Sequence, residues 1–201
     1  MKELRNKEKL LNDLEVILDD ERSIKELSSQ ARESVINEIL WRITETNLLE
    51  NDNTMRNCKY KGCTYWSKSA LGQCWCKFEN GEINFDNFKY TEKCLRHEHV
   101  VPKKILKTAL KEINKHSNWR EQVENNFVGC VITTDEDQLL NKIGCKDKMP
   151  SNKSFYDVTD KWERYKELQK YEEYPNIEVY KVTWMKKGNG KIISKIEPVD
   201  M

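Results

Sequence analysis

The sequence predicts an α+β fold, and three observations carry that expectation. Apolar residues recur at helical spacing through the first fifty positions; short, aromatic-rich segments broken by glycines follow; and the C-terminal quarter pairs a helical stretch with two alternating runs around Gly188-Asn189-Gly190. With 201 residues, 37% of them hydrophobic and 34% charged, the chain can bury one compact core with helical decoration. The expected units are a helical hairpin over 1–50, a core over 56–150, and a C-terminal helix and β-hairpin over 151–201 packing on that core.

The N-terminal hairpin rests on two stripes. Leu10, Leu14, Ile17 and Leu18 share a helix face, and after a turn at Asp19-Asp20-Glu21-Arg22, Ser23 and Glu26 form a capping box ahead of Ile24, Leu27, Ala31, Val35, Ile39 and Ile43. Such stripes pack on a core, on a second copy of the chain, or on a protein partner. Residues 47–57 have the polar composition of a linker. Beyond them Tyr60, Tyr65, Trp66, Trp75, Phe78, Phe85, Phe88 and Tyr90 suit strands, with Asn80-Gly81 as a hairpin turn. A strand through Leu95 runs to Pro102. Lys103 to His116 reads as a helix with Ile105, Leu106, Ala109, Leu110 and Ile113 inward; Phe127 to Thr133 as a strand; and Thr133 to Ile143 as a helix opened by the capping box Thr133 and Glu136. A helix around Trp162-Glu163-Arg164-Tyr165 precedes a hairpin of Glu178 to Met185 against Lys191 to Ile196.

The formal net charge is only +1, yet its distribution is uneven: residues 1–55 and 121–201 are acidic on balance, whereas 56–120 are basic. A basic field suits a polyanionic substrate or a solvated lysine face equally. The first residues are charged where a signal peptide would be apolar, no run reaches the length of a membrane span, and the cysteine count is an odd seven. A cytoplasmic location, no membrane association and reduced thiols are therefore expected.

The chemistry concentrates in Arg96-His97-Glu98-His99-Val100-Val101-Pro102. Hydrolysis of a phosphodiester near neutral pH needs a base for water and a cation for charge on the phosphate. Histidine titrates in the right range, and a carboxylate suits a hard divalent ion. On a strand, neighbouring side chains diverge, so Glu98 can face a metal while His99 faces water; which of Glu98 and His97 points inward depends on strand register.

This string resembles the first motif of the HNH, or ββα-metal, endonucleases, in which an acidic residue or His precedes the general-base His, followed by two aliphatic residues and Pro. Asn126 with Phe127 to Thr133 is similar to that family's Asn-and-strand part, and Asp135-Glu136-Asp137 falls where its helix supplies a metal ligand. The likeness spans about Tyr65 to Tyr165. It implies a small ββα-metal core, with His99 as base, Asn126 as loop support, Glu98 and His97 as candidate first ligands, and Glu136 or Asp137 as the second. It also implies a Mg2+ or Mn2+ cofactor, and nucleic acid as partner, DNA more than RNA. The Asn or His that usually ends the family's helix has no counterpart in place; Asn141 and His116 are the substitutes. Members often serve in restriction, phage defence or mobile elements.

Two further groups matter. Cys58, Cys63, Cys74 and Cys76 offer either a structural Zn2+ site or buried thiols, while Cys130 reads as core. Lys103, Lys104 and Lys107 suit phosphate contacts or an ordinary solvated helix face, and Arg164 either packs the C-terminal helix or clamps a phosphate. The expected function is thus a metal-dependent, HNH-type endonuclease. The alternatives are a non-catalytic HNH-like scaffold that inhibits or assembles a protein partner, and a zinc-stabilised nucleic-acid-binding module.

Overall fold

A mixed sheet of order β2-β3-β7-β6-β1-β5-β4 organises the chain. Its strands are β1 (Tyr65–Ser67), β2 (Phe78–Glu79), β3 (Glu82–Ile83), β4 (Leu95–His99), β5 (Gly129–Thr133), β6 (Val179–Lys186) and β7 (Ile192–Pro198). The helices are α1 (Lys7–Leu18), α2 (Ser29–Ile43), α3 (Lys68–Gln73), α4 (Lys103–Ala109), α5 (Trp119–Asn126), α6 (Thr134–Lys142) and α7 (Glu163–Leu168). The fold class is α+β, as expected. The computed structural model describes residues 7–18, 28–46, 60, 62–73, 78–79, 82–83, 94–110, 117–172, 175–186 and 192–201.

The strand carrying the histidines lies at the edge of the sheet, antiparallel to β5, with His97 opposite Val131 and His99 opposite Gly129. β5 runs straight into α6 through the expected capping box: Thr133 accepts from the Glu136 amide, and the Glu136 side chain accepts from the Thr133 amide. Gly144, at φ +74, takes the left-handed conformation that ends this helix, and the Cys145 amide bonds back to Leu140.

The C-terminal segment is part of this sheet. β6 pairs antiparallel with β1, which itself runs parallel to β5, and β7 pairs with β3, so β6 and β7 join β2–β3 to β1–β5–β4. The expected division at residue 150 therefore cuts through one hydrogen-bonded layer. A parallel pair needs a long crossover, and here more than sixty residues separate β1 from β5.

Two cores flank the histidine strand. On one side Leu11, Leu14 and Ile17 of α1 and Ile39, Leu40 and Ile43 of α2 pack with Leu106 of α4, Val123 of α5, Phe127, Met149 and Phe155. On the other, Cys130 and Ile132 of β5 meet Leu140 of α6 and Trp162, Tyr165 and Leu168 around α7. The hairpin is thus part of the core, and ion pairs fasten it: Arg120 of α5 reaches Glu8 at 2.6 Å and Glu15 at 3.1 Å.

Val35 departs from the expected stripe. It is exposed, because the buried face of α2 runs through Ile36, Ile39, Leu40 and Ile43, one residue further round. The cap of α2 is Ser28, whose side chain accepts from the Ala31 amide; the expected Ser23–Glu26 box, with Ile24 and Leu27, lies outside the described residues. α5 has no counterpart among the expected elements. Phe78 opposite Ile83 and Glu79 opposite Glu82 give the register expected across Asn80-Gly81. No helix among the described residues is long and apolar enough to cross a membrane.

Candidate active site

β4 sorts its side chains by alternation. His97 and His99 share a face, their ring centroids 5.1 Å apart, and Glu98 takes the other. Trp41, from the last turn of α2, closes the histidine face, edge-on to His97 at 4.1 Å and 6.1 Å from His99, while Phe127 lies 5.0 Å from His99. These rings help bury both imidazoles. Burial, followed by the charge of Lys103, lowers the pKa of His97 to about 4. Burial also holds His99 well below its ordinary value, with His97, Lys103 and Arg164 adding to the effect. Both rings are consequently neutral at pH 7, the form in which His99 accepts a proton.

The tautomer of His97 follows from its neighbour. The Thr44 hydroxyl donates its one hydrogen to the Trp41 carbonyl at 2.7 Å, so at the 3.0 Å contact with His97 it is Nε2–H that donates to Thr44 Oγ1. In a neutral ring that leaves the lone pair on Nδ1, which is buried without a hydrogen-bond partner. Nε2 of His99 is likewise buried and unpartnered.

On the opposite face Arg164, delivered by α7 and only 1% exposed, donates to Glu98 Oε1 at 2.7 Å. It also donates to the carbonyls of His99 at 2.9 Å and Val100 at 3.3 Å. One guanidinium therefore fixes both the carboxylate and the end of the strand. Burial raises the pKa of Glu98, Arg164 opposes that rise, and Asp137 and Asp147 reinforce it.

Glu98, His99 and Asp137 open onto one cavity of about 1060 Å³, together with Asp147 and Lys103, Lys104 and Lys107. α6 supplies Asp137, α4 supplies Lys103, Lys104 and Lys107, and α2 with the end of α1 forms the far wall. Lys104 lies 3.8 Å from Asp147, and Lys107 is paired with Glu33 of α2. Lys103 is lowered from its ordinary pKa by burial first and by Lys107 second.

The remaining candidates separate cleanly. Of the two candidate ligands on α6, Asp137 lines the cavity, whereas Glu136 is buried, receives a 2.6 Å hydrogen bond from Ser67 and caps its own helix. Asn126 holds Gln122 at 2.7 Å and the Val158 carbonyl at 3.0 Å, away from the cavity lining, so it positions the approach to β5. Arg164 is packed under Glu98 and is not among the residues lining the cavity; its terminal nitrogens donate to protein oxygens, while its buried Nε has no hydrogen-bond partner. Asn141 keeps a buried Oδ1 without a partner. Cys130 is buried in the core. Cys58, Cys74, Cys76 and His116 lie outside the described residues.

Cys63 is described, and Glu45 and His97 lie near it. Glu45, Cys63 and His97 each bring a ligand atom within 4.8 Å of the others. Nothing local in the sequence joins residues 45, 63 and 97; the end of α2, the turn before β1 and the middle of β4 meet only in the fold. Compared with family models, curated proteins and solved structures, the chain matches none of them.

Proposed function

We propose that the chain is a metal-dependent endonuclease of HNH type that hydrolyses phosphodiester bonds of nucleic acid, DNA in preference to RNA. The observation that carries this reading is the cavity on which neutral His99, the carboxylates of Glu33, Glu98, Asp137 and Asp147, and Lys103, Lys104, Lys107 and Lys146 converge. The order of elements adds support: two antiparallel strands, β4 and β5, followed directly by α6, with Glu98 and His99 on the first strand and Asp137 on the helix.

The donor set fits a hard cation of the magnesium or manganese class. Glu98, Asp137 and Asp147 supply only oxygen, the donor type such an ion prefers. Glu98 and Asp137 would hold the ion, which stabilises charge on the scissile phosphate and leaving oxygen when bound. His99 would take the proton from the attacking water, its neutral ring kept so by Trp41 and Phe127. Lys103, with Lys104 and Lys107, would hold flanking phosphates, a contact that positions the strand without reading its sequence. Arg164 keeps Glu98 in place from beneath.

The test is nicking of supercoiled plasmid and cutting of single-stranded DNA with magnesium, manganese or EDTA. Metal-dependent cleavage that disappears in His99→Ala is the expected result. A second reading rests on the Arg164–Glu98 pair itself, which already supplies Glu98 with a cation. In that reading the scaffold is non-catalytic and works through a protein partner. Absence of cleavage on every substrate and metal, from folded protein, would select it.

A further inference from the structure

We propose that Glu45, Cys63 and His97 form a zinc site, separate from the cavity that Glu98 faces and independent of the nuclease reading. The ligand atoms lie within 4.8 Å of one another, and a tetrahedral ion with bonds of about 2.0–2.3 Å needs them only somewhat closer. A thiol, an imidazole and a carboxylate make a mixed donor set. Thiolate and imidazole are poor partners for magnesium and good ones for zinc, so the set selects the softer ion.

Three features mark the site as built. The Thr44–His97 hydrogen bond fixes the imidazole and assigns the hydrogen to Nε2, leaving the buried Nδ1 lone pair with no protein partner. An orienting hydrogen bond on the far nitrogen is the usual accompaniment of a metal-bound histidine. Two glycines permit the close approach: a Cβ at Gly129 would overlap His97 Nε2, and one at Gly62 would come 2.6 Å from the Glu45 carbonyl oxygen. Cys63 itself is fully buried, its amide bonded to the Tyr60 carbonyl at 2.9 Å and its carbonyl to Trp66 Nε1 at 3.1 Å, so its backbone is held from both sides.

The ion would displace the Cys63 thiol proton to solvent and take the resulting thiolate, the Nδ1 lone pair and a Glu45 oxygen as ligands. Its role is a staple. It ties the end of α2 and the turn before β1 to the middle of β4, two residues from His99.

The experiment uses the full chain. Zinc is added, free metal removed by gel filtration, and zinc per chain measured; cobalt(II) is titrated in parallel and followed by the thiolate-to-cobalt absorption in the near ultraviolet. About one zinc per chain and a cobalt–thiolate band are expected. Both should be lost in Cys63→Ser, and the near-isosteric Glu45→Gln should weaken binding by more than the roughly 10–100-fold that loss of an orienting partner costs, while staying folded. Glu98→Gln should retain both signals, which separates this site from the nuclease cavity. Wild-type protein that takes up no stoichiometric zinc, or a cobalt band undiminished in Cys63→Ser, overturns the proposal.

Discussion

Arg164 and Glu98 form a buried ion pair at 2.7 Å, and the same guanidinium nitrogen holds the carbonyls of His99 and Val100. The arrangement links α7, sixty-six positions downstream, to the residue on which the proposed chemistry depends. Breaking a buried pair on one side leaves an uncompensated charge and costs about 3–5 kcal/mol. Arg164→Ala should therefore lower the urea unfolding free energy by about that amount. Glu98→Gln should cost less, because the amide oxygen can still accept from Arg164 and the carbonyl contacts survive. Equal, small losses for the two variants, each below about 1 kcal/mol, would show that the pair does not brace the strand.

The buried histidines should weaken the fold on the acid side. In chelated protein His97 titrates at about 4 when folded and near 6.5 when unfolded, so the unfolded chain binds its proton first as pH falls. Stability from this group is intact above pH 6.5 and drains away between there and about 4, by on the order of 2–3 kcal/mol. His99 shifts in the same direction. Glu98 runs the other way, since its raised pKa lets the folded state keep a proton that the unfolded state has released. Comparing wild type with His97→Asn isolates the His97 contribution: urea midpoints between pH 7 and 4 should fall less steeply in the variant. Parallel slopes would mean that His97 is not held neutral by the fold.

Much of the fold was legible because it is encoded over short distances. Thr133 and Glu136 announce α6 three residues apart, and the alternation around Leu95 to His99 gives β4. What could not be read is non-local. The parallel pairing of β1 with β5 leaves no mark on either strand, the hairpin β6–β7 reads as an appendage until Tyr180 pairs with Trp66, and the Arg164–Glu98 pair links sites with no shared pattern. The same holds at the candidate site. His99, Glu98 and Lys103 are visible as a string, but the choice of Asp137 over Glu136 depends on helix phase and on Ser67, whose hydroxyl claims Glu136. Cys63 stands out in the sequence for the cysteines near it, whereas Glu45 and His97 reach it only through folding.

The lysines should act through charge. If Lys103, Lys104 and Lys107 meet phosphates, removing any one of these phosphate partners lowers the slope of log binding constant against log salt by roughly 0.9 for duplex DNA. Lys103→Ala should have the largest effect, since Lys104 lies near Asp147 and Lys107 is paired with Glu33. Fluorescence anisotropy with labelled duplexes of unrelated sequence should show the same weakening on each. A weakening confined to one sequence would point to base recognition instead, and unchanged binding would leave these lysines as a solvated face.

Asp137 and Glu136, adjacent on one helix, should separate function from stability. Asp137 lines the cavity with Glu98, so Asp137→Asn should leave the unfolding free energy within about 0.5 kcal/mol of wild type, as surface changes do, and reduce metal-dependent cleavage by orders of magnitude. Glu136 is buried between the Thr133 amide at 2.8 Å and the Ser67 hydroxyl at 2.6 Å. Glu136→Ala removes the reciprocal half of the capping box and strands the Ser67 hydroxyl, for a combined cost of about 2–3 kcal/mol. Cleavage per folded molecule should survive, because nothing at Glu136 reaches the cavity lining. The two variants thus give opposite signatures in one pair of assays, unfolding and plasmid nicking. Were Glu136→Ala the inactive one and Asp137→Asn the active one, the ligand would have to be reassigned to the buried carboxylate, and the helix would have to rotate by about 100° to present it.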